Sequence, residues 1–372
     1  MKINSSNYTK FGMHSNSERY SWAVYHIFIL LSSLIGDTLI LYASFQRDAF
    51  KLNEFIVTVI QYIAVSDLAY AISSALPGAI SLLADNWILG DALCYGRVYL
   101  GFFIYTAAML LIVVLTISKL LIVKYPMHRN KWTKKMAHRV CCFILMMPAQ
   151  TFPILFLILD KNNIGFSHIT YTCEYGFEKD IWKKLLPIIT IITLFLPNVI
   201  IVAATIPTLK YLIEARKSAR RVQGSVPWQG ALTVALTAVI YCLSTLPIIF
   251  YYVSKPFVKD HTGQFLVHLY RVAKYLLLVN IMSNFYIYTL TVKSFRKFLV
   301  AKIICAKIVM RNPKSIGKNI MSMHNQLETV ITIFSSDITS IFILFINAIR
   351  SMKQKLRFRA VFADEFFQKS SS

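Results

Sequence analysis

Apolar side chains in this chain gather into long, nearly unbroken runs separated by short polar stretches. A helix needs about 20 mostly apolar residues to cross the hydrocarbon of a bilayer. Runs of that length occupy residues 22–45, 55–83, 92–123, 140–159, 185–213, 226–253 and 265–291. The pattern predicts an all-α integral membrane protein, a seven-transmembrane helix bundle over residues 22–291. Residues 1–21 read as a polar tail without an apolar signal-peptide core, so the first run is expected to act as its own uncleaved anchor. After the last run, Lys293-Ser294-Phe295-Arg296-Lys297-Phe298-Leu299 alternates basic and apolar residues at helical spacing. Residues 292–309 therefore predict a short amphipathic eighth helix on the membrane surface. Residues 310–372 read as a poorly ordered cytoplasmic tail. Its apolar run from Ile338 to Ile349 is too short to span, and suits an interfacial helix or a partner-binding segment.

Composition narrows this further. Of 372 residues, 56% are hydrophobic and only 15% charged. A soluble chain carries about a quarter charged residues, so two or three soluble domains are excluded in favour of one membrane domain with short loops. The net charge of +23 would suit a nucleic-acid binder, but such proteins are not this apolar. The basic residues fall instead on one side of the runs. Lys124, Arg129, Lys131, Lys134, Lys135 and Arg139 share one loop, and Lys210, Arg216, Lys217, Arg220 and Arg221 another. On the opposite side Lys161, Lys179, Lys183 and Lys184 mix with Asp160, Glu174, Glu178 and Asp180. The positive-inside rule then places the N-terminus outside and the C-terminus in the cytoplasm of a multi-pass membrane protein. Asn4 and Asn7 open glycosylation triplets that agree with this orientation.

Cys94 opens the third run and Cys173 lies between the fourth and fifth, both on the outer, oxidising side, where a bridge is expected to persist. Cys141, Cys142 and Cys242 read as small core residues, and Cys305, beside the basic stretch, as a palmitoylation candidate. No Cys/His spacing predicts a metal, and no nucleophile–base pair or phosphate loop predicts an enzyme or a cofactor. No repeat relates the two halves of the chain, which argues against a transporter built by duplication.

Several motifs stand in a fixed order across the runs. They are Ala64-Val65-Ser66-Asp67-Leu68, Trp87-x-x-Gly90-x-x-x-Cys94, Cys173, Pro126 seven residues after Lys119, Pro197, Pro247, and Asn280-x-x-x-Asn284-Phe285-Tyr286-Ile287-Tyr288 before Phe295-Arg296-Lys297-Phe298. In this order, over residues 22–298, the chain resembles a rhodopsin-like (class A) G-protein-coupled receptor. The resemblance implies an extracellular ligand, peptide or small molecule, whose binding is transmitted through the helices to a heterotrimeric G protein. It assigns coupling and activation to Ser118, Lys119, Leu120, Pro247, Asn284 and Tyr288.

The family pattern is altered where it transmits. The Asp-Arg-Tyr triplet is Ser118-Lys119-Leu120, so charge is kept while the planar fork and its neighbouring carboxylate are lost. The Cys-Trp-x-Pro motif reads Ser244-Thr245-Leu246-Pro247, Asn-Pro-x-x-Tyr reads Asn284-Phe285-x-x-Tyr288, and the tryptophan usual in the fourth run is missing. These changes keep open a decoy or non-coupling partner of other receptors. A proton or ion transporter using Asp37 and Asp67 is the third alternative.

Charge inside an apolar run is costly and marks function. Asp67, Asn280 and Asn284 match positions where the family holds a sodium ion, with Ala108 in place of a serine. Asp37 follows Gly36 where the family has asparagine. The two aspartates are expected to share a proton, or Asp37 to replace the asparagine hydrogen bond as a protonated acid. Gly101 stands where amine receptors place an aspartate, and Leu278 where opsins place a lysine. Tyr99, Phe102, Tyr105, Tyr251 and Tyr252 line a pocket or simply pack. Arg271 and Lys274, one helical turn apart, attract an acidic ligand group or form a solvated helix end.

Overall fold

The computed structural model describes residues 16–50, 52–125, 127, 131–158, 164–175, 188, 191–221, 228–254 and 263–311. Asn4, Asn7, Pro126, most of the loop from 159 to 187 and the tail beyond residue 311 lie outside the described residues, as does the side chain of Cys305. The chain divides into two compact units, Met1–Val300 and Ala301–Ser372, and the helical bundle belongs to the first.

The apolar runs fold as helices: α1 (Asn16–Ser44), α2 (Glu54–Ala84), α3 (Gly90–Lys124) and α4 (Lys134–Ile158). A hairpin of β1 (Ile164–Ser167) and β2 (Thr172–Tyr175) precedes α5 (Leu196–Arg221), α6 (Trp228–Ser254), α7 (Gly263–Thr291) and α8 (Lys293–Arg311). Among the described residues, six helices are long and apolar enough to cross a membrane: α1, α2, α3, α6, α7 and the segment Ile191–Glu214 that carries α5. Side chains of α4 beyond Met146 lie outside the described residues.

Local chemistry explains the interruptions. Asn53 caps α2, its side-chain oxygen accepting from the Phe55 amide at 2.8 Å. Pro77 has no N–H to donate and its ring crowds the preceding turn, and the helix absorbs it in a π turn at Ala71–Ala75. Pro197 is preceded in the same way by a π turn at Ile191–Phe195. Between α2 and α3 the Trp87 indole donates to the Gly90 carbonyl at 2.9 Å, and Gly90 takes φ +78°, a conformation open to a residue without Cβ. That turn sets the first turn of α3, where Cys94 sits.

The helices close a ring. α1 packs on α2 and α7, α7 on α6, α6 on α5, and α5 on α3; α3 also meets α2 and α4. Side chains turned inward are buried, among them Ile29, Ile63, Leu111, Tyr241 and Tyr288, while Val24, Leu31, Ile35, Leu243 and Leu290 face outward. An apolar outer face on a closed ring of helices is what lipid requires. The molecule is a helical, multi-pass membrane protein.

Helix α1 begins at Asn16, earlier than the apolar run starting at 22. The added turn is held from outside the run: Ser21 Oγ donates to the Ser17 carbonyl at 2.9 Å, and Arg19 pairs with Asp85 at the end of α2.

Candidate functional site

The first polar constellation lies inside the bundle. Asp37 of α1 is fully buried and its Oδ2 accepts from Ser33 Oγ one turn earlier, while Oδ1 has no partner among the described residues. Asp67 of α2 is buried and its Oδ2 accepts from Asn284 Nδ2 of α7 at 2.7 Å. The two carboxylates lie within electrostatic reach of each other. Beside Asp67 is a cavity of 20 Å³ lined by Tyr105, Ala108, Tyr241 and Asn280. That space suits a single water or small ion. The hydroxyls of Tyr105, Tyr241 and, farther along α7, Tyr288 have no hydrogen-bond partner among the described residues.

Helices α5 and α6 meet through a second buried bond that the sequence does not announce. Thr245, at the position of the family's tryptophan, donates to Asn198 Oδ1 at 3.0 Å, and Asn198 Nδ2 donates to the Leu194 carbonyl at 2.7 Å. Asn198 thus ties the π turn before Pro197 to α6. Pro247 lies half-buried two residues on.

Third is a lid at one end of the ring. Cys94 and Cys173 form the expected disulfide, joining α3 to β2. The hairpin pairs Ser167 with Thr172, and Tyr171 in its turn adopts φ +52°, a rare conformation for a side chain of this size. Tyr171 is buried against Ala23 and Leu82, and its hydroxyl donates to Asp85 Oδ1 at 2.9 Å. Burial pushes the Tyr171 phenol up to about 12, so it stays protonated at neutral pH. The bond from Arg19 holds the Asp85 carboxyl below its ordinary range.

Both basic residues of α7 grip this hairpin. Arg271 Nε donates to the Ile169 carbonyl at 3.1 Å, and Lys274 Nζ lies 3.4 Å from Glu174 Oε1. Arg271 is buried, so it is not a solvated helix end. Glu174 Oε2 also accepts from the Tyr270 hydroxyl at 2.7 Å, and Tyr251 stacks on Tyr270 at 4.3 Å. Gly101 is half-buried, with Ser74 Oγ 3.8 Å from where a Cβ would sit.

At the opposite end of α3, Ser118 Oγ donates to the Leu115 carbonyl of its own helix at 2.9 Å. Lys119 is buried, Leu120 half-buried, and among the described residues no carboxylate pairs with Lys119.

A family model described as "7 transmembrane receptor (rhodopsin family)" matches residues 38–288. The chain belongs to the rhodopsin-family receptors. A search of curated proteins finds no match. The family match runs from the residue after Asp37 to Tyr288, and so encloses the Asp67–Asn284 contact, the disulfide and the Ser118-Lys119-Leu120 segment of this receptor.

Sequence reasoning found the charged residues of the interior because aspartate in an apolar run stands out. It missed Arg97, Tyr171, Glu174, Tyr270 and the Asn198–Thr245 bond. For Glu174 a signal existed: it follows Cys173 directly, so a bridge to α3 carries it over the bundle.

Proposed function

We propose that this chain is a G-protein-coupled receptor of the plasma membrane, with seven helices crossing the bilayer, α4 among them. Its lid end faces outward, and Asn4 and Asn7 carry glycans there. The carboxy-terminal side is cytoplasmic, with α8 along the inner membrane surface and Cys305 available for lipidation. An extracellular ligand between Gly101, Tyr105, Tyr251, Arg271 and Lys274 shifts the bundle between resting and active arrangements. The shift can be no larger than the ligand's differential affinity for the two.

The observation that carries this reading is the buried Asp67–Asn284 hydrogen bond, which ties α2 to α7 inside the bundle. A buried polar contact is costly to leave unmade, so a rearrangement that breaks it must offer Asp67 and Asn284 other partners. Pro247, Asn284 and Tyr288 transmit the change, and Lys119 with Ser118 and Leu120 meets the G protein.

One observation favours a second reading, a receptor fold that binds ligand without coupling. Lys119 lacks the guanidinium fork, and Ser118 is bonded to its own helix. Agonist-independent nucleotide exchange, measured on a panel of heterotrimeric G proteins in membranes bearing the chain, separates the two. Exchange above chain-free membranes supports the receptor. Exchange from the Lys119→Arg variant alone supports the non-coupling reading.

A further inference from the structure

At the lid end two cations converge on one carboxylate. Arg97 of α3 donates from a terminal guanidinium nitrogen to the Cys173 carbonyl at 2.7 Å, while its buried Nε has no hydrogen-bond partner among the described residues. Lys274 of α7 lies 3.4 Å from Glu174, with its ammonium 5.3 Å from the centre of the Tyr270 ring. Arg97, Lys274 and Glu174 act on one another electrostatically, with Tyr70 and Tyr252 in the same field. Lys274 is answered by Glu174, whereas Arg97 is bonded to a backbone carbonyl and, among the described residues, has no carboxylate within ion-pair distance. A half-buried positive charge without a carboxylate partner attracts another anion.

The carboxylate of Glu174 is already held as a bound anion would be. It accepts from the Tyr270 hydroxyl at 2.7 Å and faces the Lys274 ammonium, beneath a wall of Tyr251 stacked on Tyr270. Its donors stand on a long helix, whereas Glu174 itself stands on a four-residue strand. Cys173 is fixed to α3 by the disulfide, so it is rotation about the Glu174 side-chain bonds that withdraws the carboxylate and leaves its donors in place. Below Tyr270, Ile248, Ala273 and Leu277 pack against it as a buried apolar cluster.

We propose that the ligand of this receptor is an organic anion, a carboxylate on an aromatic or apolar body, and that Glu174 is a built-in occupant of its anion subsite. The ligand's carboxylate takes the place of Glu174 against Tyr270 and Lys274, and its second charge partner is Arg97. The entry route rests on the receptor reading above; the subsite itself does not require coupling.

The test uses the purified full-length chain in detergent micelles, without G protein, and benzoate as the probe beside its neutral match benzamide. Ligand that binds the folded state raises the melting temperature, and does so more the further its concentration exceeds its Kd. Removing the internal competitor in Glu174→Gln should tighten benzoate binding roughly tenfold over the native chain. Benzamide should produce no shift, and adding Lys274→Gln to Glu174→Gln should abolish the benzoate shift. Should Glu174→Gln fail to fold, Glu174→Asp retracts the carboxylate by one methylene and is read the same way. Equal shifts from benzoate and benzamide overturn the proposal, as does a benzoate shift that survives Lys274→Gln or one that is absent from the Glu174 variants. A charge-dependent shift without nucleotide exchange keeps the subsite and overturns the receptor reading. Exchange without such a shift does the reverse.

Discussion

Gly36 leaves α1 and α7 almost no distance between them. A Cβ there would lie 2.6 Å from Phe285 Cβ and 2.7 Å from its Cγ. Phe285 stands where the family has proline, so a bulky ring and a glycine have been accommodated together. Overpacking a core costs typically about 1–3 kcal/mol, and Gly36→Ala should lower the melting temperature of the purified chain accordingly. Phe285→Ala in the same chain removes the contacts with Cγ and the ring while keeping Cβ, so it should recover part of the loss; no recovery would place the strain at Cβ or elsewhere. A pH effect belongs at this scale too. Asp85 is held below its ordinary range by Arg19, so its contribution is present above its unfolded value of about 4 and is lost as pH falls through the lower folded value. Its side chain is 49% exposed, so screening keeps the contribution small. The melting temperature should fall more between pH 5 and about pH 3 in the native chain than in Asp85→Asn, and identical profiles would remove Asp85 from the account. The interior aspartates were legible because they interrupt apolar runs. Arg97 was not, because a cation near the end of an apolar run reads as facing the surface, and Glu174 reads as a loop acid unless the neighbouring Cys173 bridge is followed to α3.

Among the elements, the hairpin depends most on a single bond. The Cys94–Cys173 bridge closes a separation of 79 residues and seats β2 on α3. Losing such a bridge typically costs about 2–5 kcal/mol. Cys173→Ser should therefore lower stability by that order and expose the lid to protease at lower concentrations than the native chain, as limited proteolysis would show. An unchanged cleavage pattern would mean that Tyr171, Arg271 and Lys274 hold the hairpin without the bridge. Between α5 and α6, Thr245→Val removes the donor to Asn198 while keeping side-chain volume. An orphaned buried acceptor costs about 1–3 kcal/mol, measurable in the same melts. Pro197 was legible as one of the ordered motifs, but the π turns before it and before Pro77 were not. A missing N–H can be met by a kink, a bulge or a stop, and packing against neighbours decides which.

The whole bundle was more legible than its parts. Length, apolarity and spacing of the runs are imposed by the bilayer, a solvent with few solutions, so the order of helices follows from hydropathy. The packing of α7 on α1 and α2 is settled by side chains no periodicity reveals, Gly36 of α1 against Phe285 and Asp67 of α2 against Asn284. Function at this scale rests on whether a rearrangement of that ring reaches a G protein through Lys119. Nucleotide exchange in membranes bearing the native chain, Lys119→Arg or Asn284→Val tests this most directly. The account predicts exchange above chain-free membranes for the native chain, a faster rate for Lys119→Arg, and a changed rate when Asn284 no longer reaches Asp67. Rates equal to chain-free membranes in all three would contradict it.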